Sequence, residues 1–124
     1  MKLLLDTHAA LWFLSRDRRL SDHADRHLTD GSNQVLLSAA VVWEVSIKRS
    51  LGKLEVPEEY LSLLLDGGAD PLHVSLEHAA AVASLPLHHR DPFDRILVAQ
   101  AGIEGAAIVS RDDRLRPYGV TLVW

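Results

Sequence analysis

Apolar residues along this chain fall into short unbroken runs separated by longer segments in which they recur with a helical spacing. The runs at Lys2–Leu5, 34–37 and Ala106–Val109 are bounded by polar residues, the pattern of strands buried on both faces. A helix over residues 7–14 follows the first run directly, and Ser21 caps a second helix that reaches Leu28. After the loop Asp30-Gly31-Ser32-Asn33 and the second strand, Ser38 caps a long helix through Leu51, stopped by Gly52. Pro57 opens a further helix over 58–65 that ends at Gly67-Gly68. Residues 72–74 read as a third strand and 76–85 as a helix ended by Pro86. Asp91 occupies an N-cap position with Pro92 at the first helical position, and that helix runs to Ala101 or Gly102. Residues 120–123 form a last strand. Strands alternating with helices predict an α/β fold with a mainly parallel central sheet covered on both faces, although the pattern does not give the strand order.

Length and composition narrow the picture further. At 124 residues, with 48% hydrophobic and 24% charged residues and neither repeat nor linker, the chain reads as one globular domain over 1–124. The absence of cysteine removes disulfides and thiolate metal sites and is compatible with a reducing compartment. Met1-Lys2-Leu3-Leu4-Leu5 imitates the start of a secretory signal, but Asp6 and His8 interrupt it and no cleavage site follows. No stretch approaches a bilayer-spanning length, so a cytoplasmic protein is expected. The net charge of −4 argues against a plain phosphate-binding surface, unless several carboxylates are gathered around bound cations. Basic residues cluster at Arg16, Arg18 and Arg19, at Lys48, Arg49 and Lys53, and at Arg111, Arg114 and Arg116; each cluster alone reads as a solvated face.

The candidate chemistry lies in four acids. Functional groups of open α/β sheets gather beyond the carboxyl ends of the strands. Asp6 follows the first strand, Asp112 follows the strand Ala106–Val109, Asp94 lies in the first turn of a helix, and Glu44 projects from the helix after the second strand. Each has an ordinary explanation. Asp6 and Asp112 can cap the next turn, Asp91 and Asp94 suit a helix start, and Glu44 can pair with Lys48 at i,i+4. Together they say more, because converging carboxylates repel unless protons or a cation intervene. Oxygen ligands without sulfur suit Mg²⁺ or Mn²⁺, and such a site is equipped for hydrolysis at phosphorus.

The segments Leu4-Leu5-Asp6-Thr7-His8, Ser38 through Lys48, His89-Arg90-Asp91-Pro92-Phe93-Asp94-Arg95 with the helix that follows, and Val109-Ser110-Arg111-Asp112 carry a family resemblance. In that order and over nearly the whole chain, they resemble PIN-domain ribonucleases, and specifically the VapC-type toxins of bacterial toxin–antitoxin modules. The resemblance implies a PIN-like three-layer sandwich, with Asp6, Glu44, Asp94 and Asp112 as catalytic and metal-binding acids. It further implies Mg²⁺ or Mn²⁺ dependence, endonucleolytic cleavage of RNA, homodimerisation and a cognate VapB-type antitoxin that obstructs the site. Ser110 and Thr7 resemble hydroxyls that orient the acids. Asp113 competes with Asp112 for the fourth position, and Asp91 is either a cap or an outer ligand.

Other signals carry less. His23 and His27 have the i,i+4 spacing of a zinc protease, but Ala24 replaces the glutamate that motif requires. His88-His89 reads as a loop pair with a minor substrate contact as the alternative. Trp12, Trp43 and Trp124 read as core or interface, and Leu61, Leu64 and Leu65 as amphipathic packing. Two rival functions are a non-catalytic module on the same fold and a phosphatase of the haloacid-dehalogenase type. The second requires an aspartate where this chain has His8.

Overall fold

A computed structural model describes residues 1–124. Five strands, β1 (Lys2–Leu5), β2 (Gln34–Ser38), β3 (Asp70–Leu72), β4 (Ala106–Val109) and β5 (Leu122–Val123), form one sheet. Its order is β3-β2-β1-β4-β5 and every neighbouring pair is parallel. The strand with three consecutive leucines takes the central place. Leu3, Leu4 and Leu5 are wholly buried, with Leu4 level with Leu36 on one side and Ile108 on the other. Burying each such side chain contributes about 1.5–3 kcal/mol relative to leaving it in water.

Helices α1 (Thr7–Ser15), α2 (Asp22–Thr29), α3 (Ala39–Ser50), α4 (Tyr60–Asp66), α5 (Leu76–Ala81) and α6 (Pro92–Glu104) flank the sheet, with 3₁₀ turns at Val82–Ser84 and Asp113–Tyr118. From β1 the chain steps outward to β2 and β3, then crosses back to add β4 and β5 on the other side of β1. Such a reversal leaves a crevice at the carboxyl ends of the strands that flank it, here β1 and β4. None of the helices is long and apolar enough to cross a membrane.

Several boundaries differ from the sequence pattern, each for a physical reason. The third strand is Asp70–Leu72 rather than 72–74, because Pro71 lies on an edge strand, where a missing N–H is tolerated. Pro57 opens a turn, not a helix, and α4 begins at Tyr60, whose N–H bonds the Pro57 carbonyl. The helix expected over 76–85 stops at Ala81 and tightens into a 3₁₀ turn; Leu85 is extended, as the residue before a proline prefers. Helix α6 passes through Gly102 and ends at Gly105, whose φ of 66° is the left-handed cap geometry that favours glycine. The last strand shrinks to Leu122–Val123, and the 3₁₀ turn before it was not legible in the pattern.

Candidate active site

The crevice at the ends of β1 and β4 opens into a pocket of about 460 Å³. Asp6, Glu44, Asp94 and Asp112 all line it, together with Asp91, Thr7, His8, Trp12, Lys48, Arg111 and Arg114. The elements bring them there by simple means. Asp6 is the residue between β1 and α1, and it caps α1 by accepting from the Ala9 N–H at 2.8 Å. Asp112 stands just beyond β4 and caps the 3₁₀ turn through Arg114 N–H at 3.0 Å. Asp91 caps α6 by accepting from Phe93 and Asp94, which sets Asp94 in the first turn facing the same opening. Glu44 reaches in from α3 and is buried. The capping role and the pocket position therefore coexist in Asp6, Asp91 and Asp112.

The acids differ sharply in how their charge is met. Glu44 accepts from the Thr7 hydroxyl with one oxygen and from Lys48 Nζ at 2.7 Å with the other. Asp112 receives the Arg114 guanidinium in a forked pair at 3.0 and 2.7 Å, which holds its carboxyl below the ordinary range. Asp6 is pushed up, chiefly by burial, with the Ser110 hydroxyl and the Ala9 N–H pulling the other way. Asp94 is the least compensated. Burial first, and then the charges of Asp91, Asp6, Asp112 and Glu44, push it up to about 7. Its nearest cationic or imidazole nitrogens are His89 Nε2 at 3.7 Å and Arg114 at 4.0 Å.

This donor set fits a hard divalent cation. It consists of carboxylate and hydroxyl oxygens, and the mutual repulsion that raises Asp94 is what a bound cation would relieve. The side chains are not gathered at the spacing of a preformed coordination group. Glu44 is turned to Thr7 and Lys48, and Asp112 to Arg114, so an ion bound here would share these carboxylates with their internal partners or displace those partners.

Asp113 points away from the pocket, 82% exposed and paired with Arg116, which leaves Asp112 as the acid at the crevice. The basic clusters split: Lys48, Arg111 and Arg114 line the pocket, while Arg49 pairs with Glu58 and Arg116 with Asp113. Trp12 is 7% exposed beneath the His8 ring, which stacks on it at 5.2 Å. Trp43 is 63% exposed beside Phe93, so it is not a core residue. The pocket roles of His8, Trp12 and Arg111 were missed in the sequence. Their only signal was adjacency to Asp6 and Asp112, or one helical turn from His8.

The sequence matches the PIN domain family over residues 3–120, and the chain belongs to that family. It is 44% identical over 55 residues to Ribonuclease VapC16 of Mycobacterium tuberculosis, an alignment covering 41% of this chain and 39% of that protein. The chain thus spans well under half the length of this relative. Its fold is similar to a chain of VapBC2 from Rickettsia felis bound to a promoter DNA fragment, with a TM-score of 0.73 and 16% identity over 98% of this chain and 97% of that one. A chain of DNA-bound VapBC from Salmonella typhimurium gives a TM-score of 0.71 at 16% identity, over 98% and 96%. FitAcB from Neisseria gonorrhoeae gives 0.55 at 18%, over 97% and 95%.

Proposed function

We propose that this chain is a single PIN domain that hydrolyses RNA endonucleolytically with Mg²⁺ or Mn²⁺, as the VapC-type toxin of a toxin–antitoxin pair. The observation that carries the reading is Asp94, a carboxyl raised to about 7 by burial and by four surrounding acids at the switch point of the sheet. Capping explains Asp6, Asp91 and Asp112 one at a time, but it does not call for their convergence on Asp94, whereas a cation site does. Family membership and the similarity to a ribonuclease VapC support RNA as the substrate, and leave no support for a dehalogenase-type phosphatase.

In this mechanism Asp6, Glu44, Asp94 and Asp112 would hold the cation. A divalent ion bound there would acidify a water and offset charge on the phosphoryl oxygens. Thr7 and Ser110 orient acids: Thr7 donates to Glu44, and the Ser110 hydroxyl sits against Asp6 while accepting from the Asp112 N–H. Arg111, which has no carboxylate partner, is placed to receive a flanking RNA phosphate. A VapB-type antitoxin, supported by the VapBC neighbours, a homodimeric assembly and a cytoplasmic setting belong to the same proposal.

The test is cleavage of a defined RNA, followed by mapping of its ends. Activity should vanish in EDTA and return with Mg²⁺ or Mn²⁺, and Asp6→Ala should be inert. Full activity in chelator would remove the metal mechanism.

A further inference from the structure

His89 stands at the end of the loop before α6, with its side chain 11% exposed. Its Nε2 is buried and has no hydrogen-bond partner, an arrangement that costs stability where it serves no purpose. That nitrogen lies 3.7 Å from Asp94 Oδ2, so a closure of about 0.5 Å would make a hydrogen bond.

The opposite side of the ring decides which nitrogen carries the proton. Tyr118 Oη accepts from Arg95 at 3.1 Å and from the His89 backbone N–H at 3.3 Å, which occupies both of its lone pairs. The tyrosine oxygen then has only its own proton to offer. Its nearer acceptor is His89 Nδ1 at 3.3 Å, against 3.5 Å for the His89 carbonyl. With Nδ1 accepting, the neutral imidazole carries its proton on Nε2, the atom that faces Asp94. The ring is further held edge-on by Tyr118, at a centroid distance of 5.4 Å.

We propose that His89 is a positioning residue: its Nε2–H is aimed at the Asp94 carboxylate and, once the 3.7 Å gap closes to a hydrogen bond, fixes the orientation in which Asp94 faces the pocket. Burial of Nε2 keeps it from meeting substrate or bulk water directly, so it acts through Asp94. Arg95 and Tyr118, from α6 and the 3₁₀ turn after β4, set the tautomer and hold the ring. The proposal rests on the cation-site reading above. It adds that a donor behind Asp94 tunes the affinity of that site, an effect that for such outer partners is typically about 10–100-fold.

The experiment compares wild type, His89→Asn and His89→Gln. The Gln amide nitrogen can occupy the Nε2 position and restore the donor, whereas Asn ends near Nδ1 and cannot. Mn²⁺ binding by calorimetry, the Mn²⁺ dependence of RNA cleavage and the melting temperature are measured for all three. ¹⁵N NMR of wild type reports the His89 tautomer. Expected are a proton on Nε2, a half-saturating Mn²⁺ concentration raised about 10-fold or more in His89→Asn with little change in melting temperature, and recovery of most of that loss in His89→Gln. A proton on Nδ1, unchanged Mn²⁺ affinity in His89→Asn, or equal losses in both variants alongside reduced stability would overturn the proposal. A wild type that neither binds Mn²⁺ nor cleaves RNA would instead bring down the cation-site reading.

Discussion

Helix α6 carries two polar regions that are built in opposite ways. In its middle, Gln100 is wholly buried, and each end of its amide has a partner. The Ser38 hydroxyl donates to it at 2.6 Å, and its nitrogen lies 3.3 Å from the His73 carbonyl and 3.4 Å from His78 Nδ1. His78 continues the network to Glu104 at 3.0 Å while closing a capping box with Ser75. Less than two turns earlier, Asp94 faces four other acids, and the imidazole nitrogen beside it, His89 Nε2, lacks a hydrogen bond. A network whose members satisfy one another ties α3, α5 and α6 together; one left open is held ready for something that is not protein. The first region should therefore answer to stability measurements and the second to ligand and activity measurements.

The largest effect that would break this contrast is on catalysis. On the proposed cation site, Asp94→Asn should lower RNA cleavage by at least about 100-fold, because a charge that would hold the ion is gone. Its melting temperature in chelator at pH 8 should match or exceed wild type, since Asn cannot repel its neighbours. Gln100→Leu should do the reverse. It takes away the acceptor of the buried Ser38 hydroxyl proton and the donor to the His73 carbonyl, and should cost about 1–2 kcal/mol in denaturant unfolding, while cleavage per folded molecule stays within about a factor of two. A stability loss in Asp94→Asn comparable to that of Gln100→Leu would erase the distinction.

Linkage sharpens it. Mg²⁺ at about 100 times its dissociation constant should stabilise wild type by about 2.7 kcal/mol, and Asp94→Asn by much less. Without metal, pH should act through the same group. Asp94 is raised from 3.8 to about 7 in the folded chain, so the native state holds a proton that the unfolded chain releases. The favourable contribution is complete below about pH 4 and is lost as pH rises toward 7. Thermal unfolding in chelator at pH 5 and pH 8 should show wild type losing more stability over that interval than Asp94→Asn. Equal losses would mean that another group carries the pH dependence.

The same two regions separate what the sequence made legible from what it did not. Asp6, Asp94 and Asp112 could be placed because strand ends and helix caps are local signals: an apolar run followed at once by Asp, or Asp-Pro before a helical stripe. Their convergence needed only the general rule about the carboxyl ends of parallel strands, and Glu44 came from its place after β2. The Gln100 network was invisible, since Ser38, His73, His78 and Gln100 meet only once α3, α5 and α6 are packed. The sheet order was likewise unreadable, because four-residue apolar runs carry no record of which neighbour they pair with. Pro71 misdirected the third strand, an edge position that periodicity cannot tell from a central one.

The smallest expected effect concerns the cations of the pocket. Lys48 is engaged by Glu44 and Arg114 by Asp112, but Arg111 has no ion pair; its guanidinium rests 4.6 Å from the centre of the Trp12 ring. Stacking holds it in place without neutralising it, which leaves its N–H donors for a phosphate oxygen. Arg111→Ala should therefore raise KM for RNA by about 10-fold with kcat little changed, and should lower the slope of log affinity against log salt by about 1. Stability should change by no more than about 0.5 kcal/mol, as for most exposed substitutions. Arg18→Ala makes the same change of charge outside the pocket, beside Asp17 and Asp22 in a different cleft, and serves as the control. If both variants shift KM equally, Arg111 contributes only to the general field of the protein. If Arg111→Ala alone shifts it, the basic residue next to Asp112 is a phosphate contact, and the pocket holds its substrate through a cation that no carboxylate neutralises.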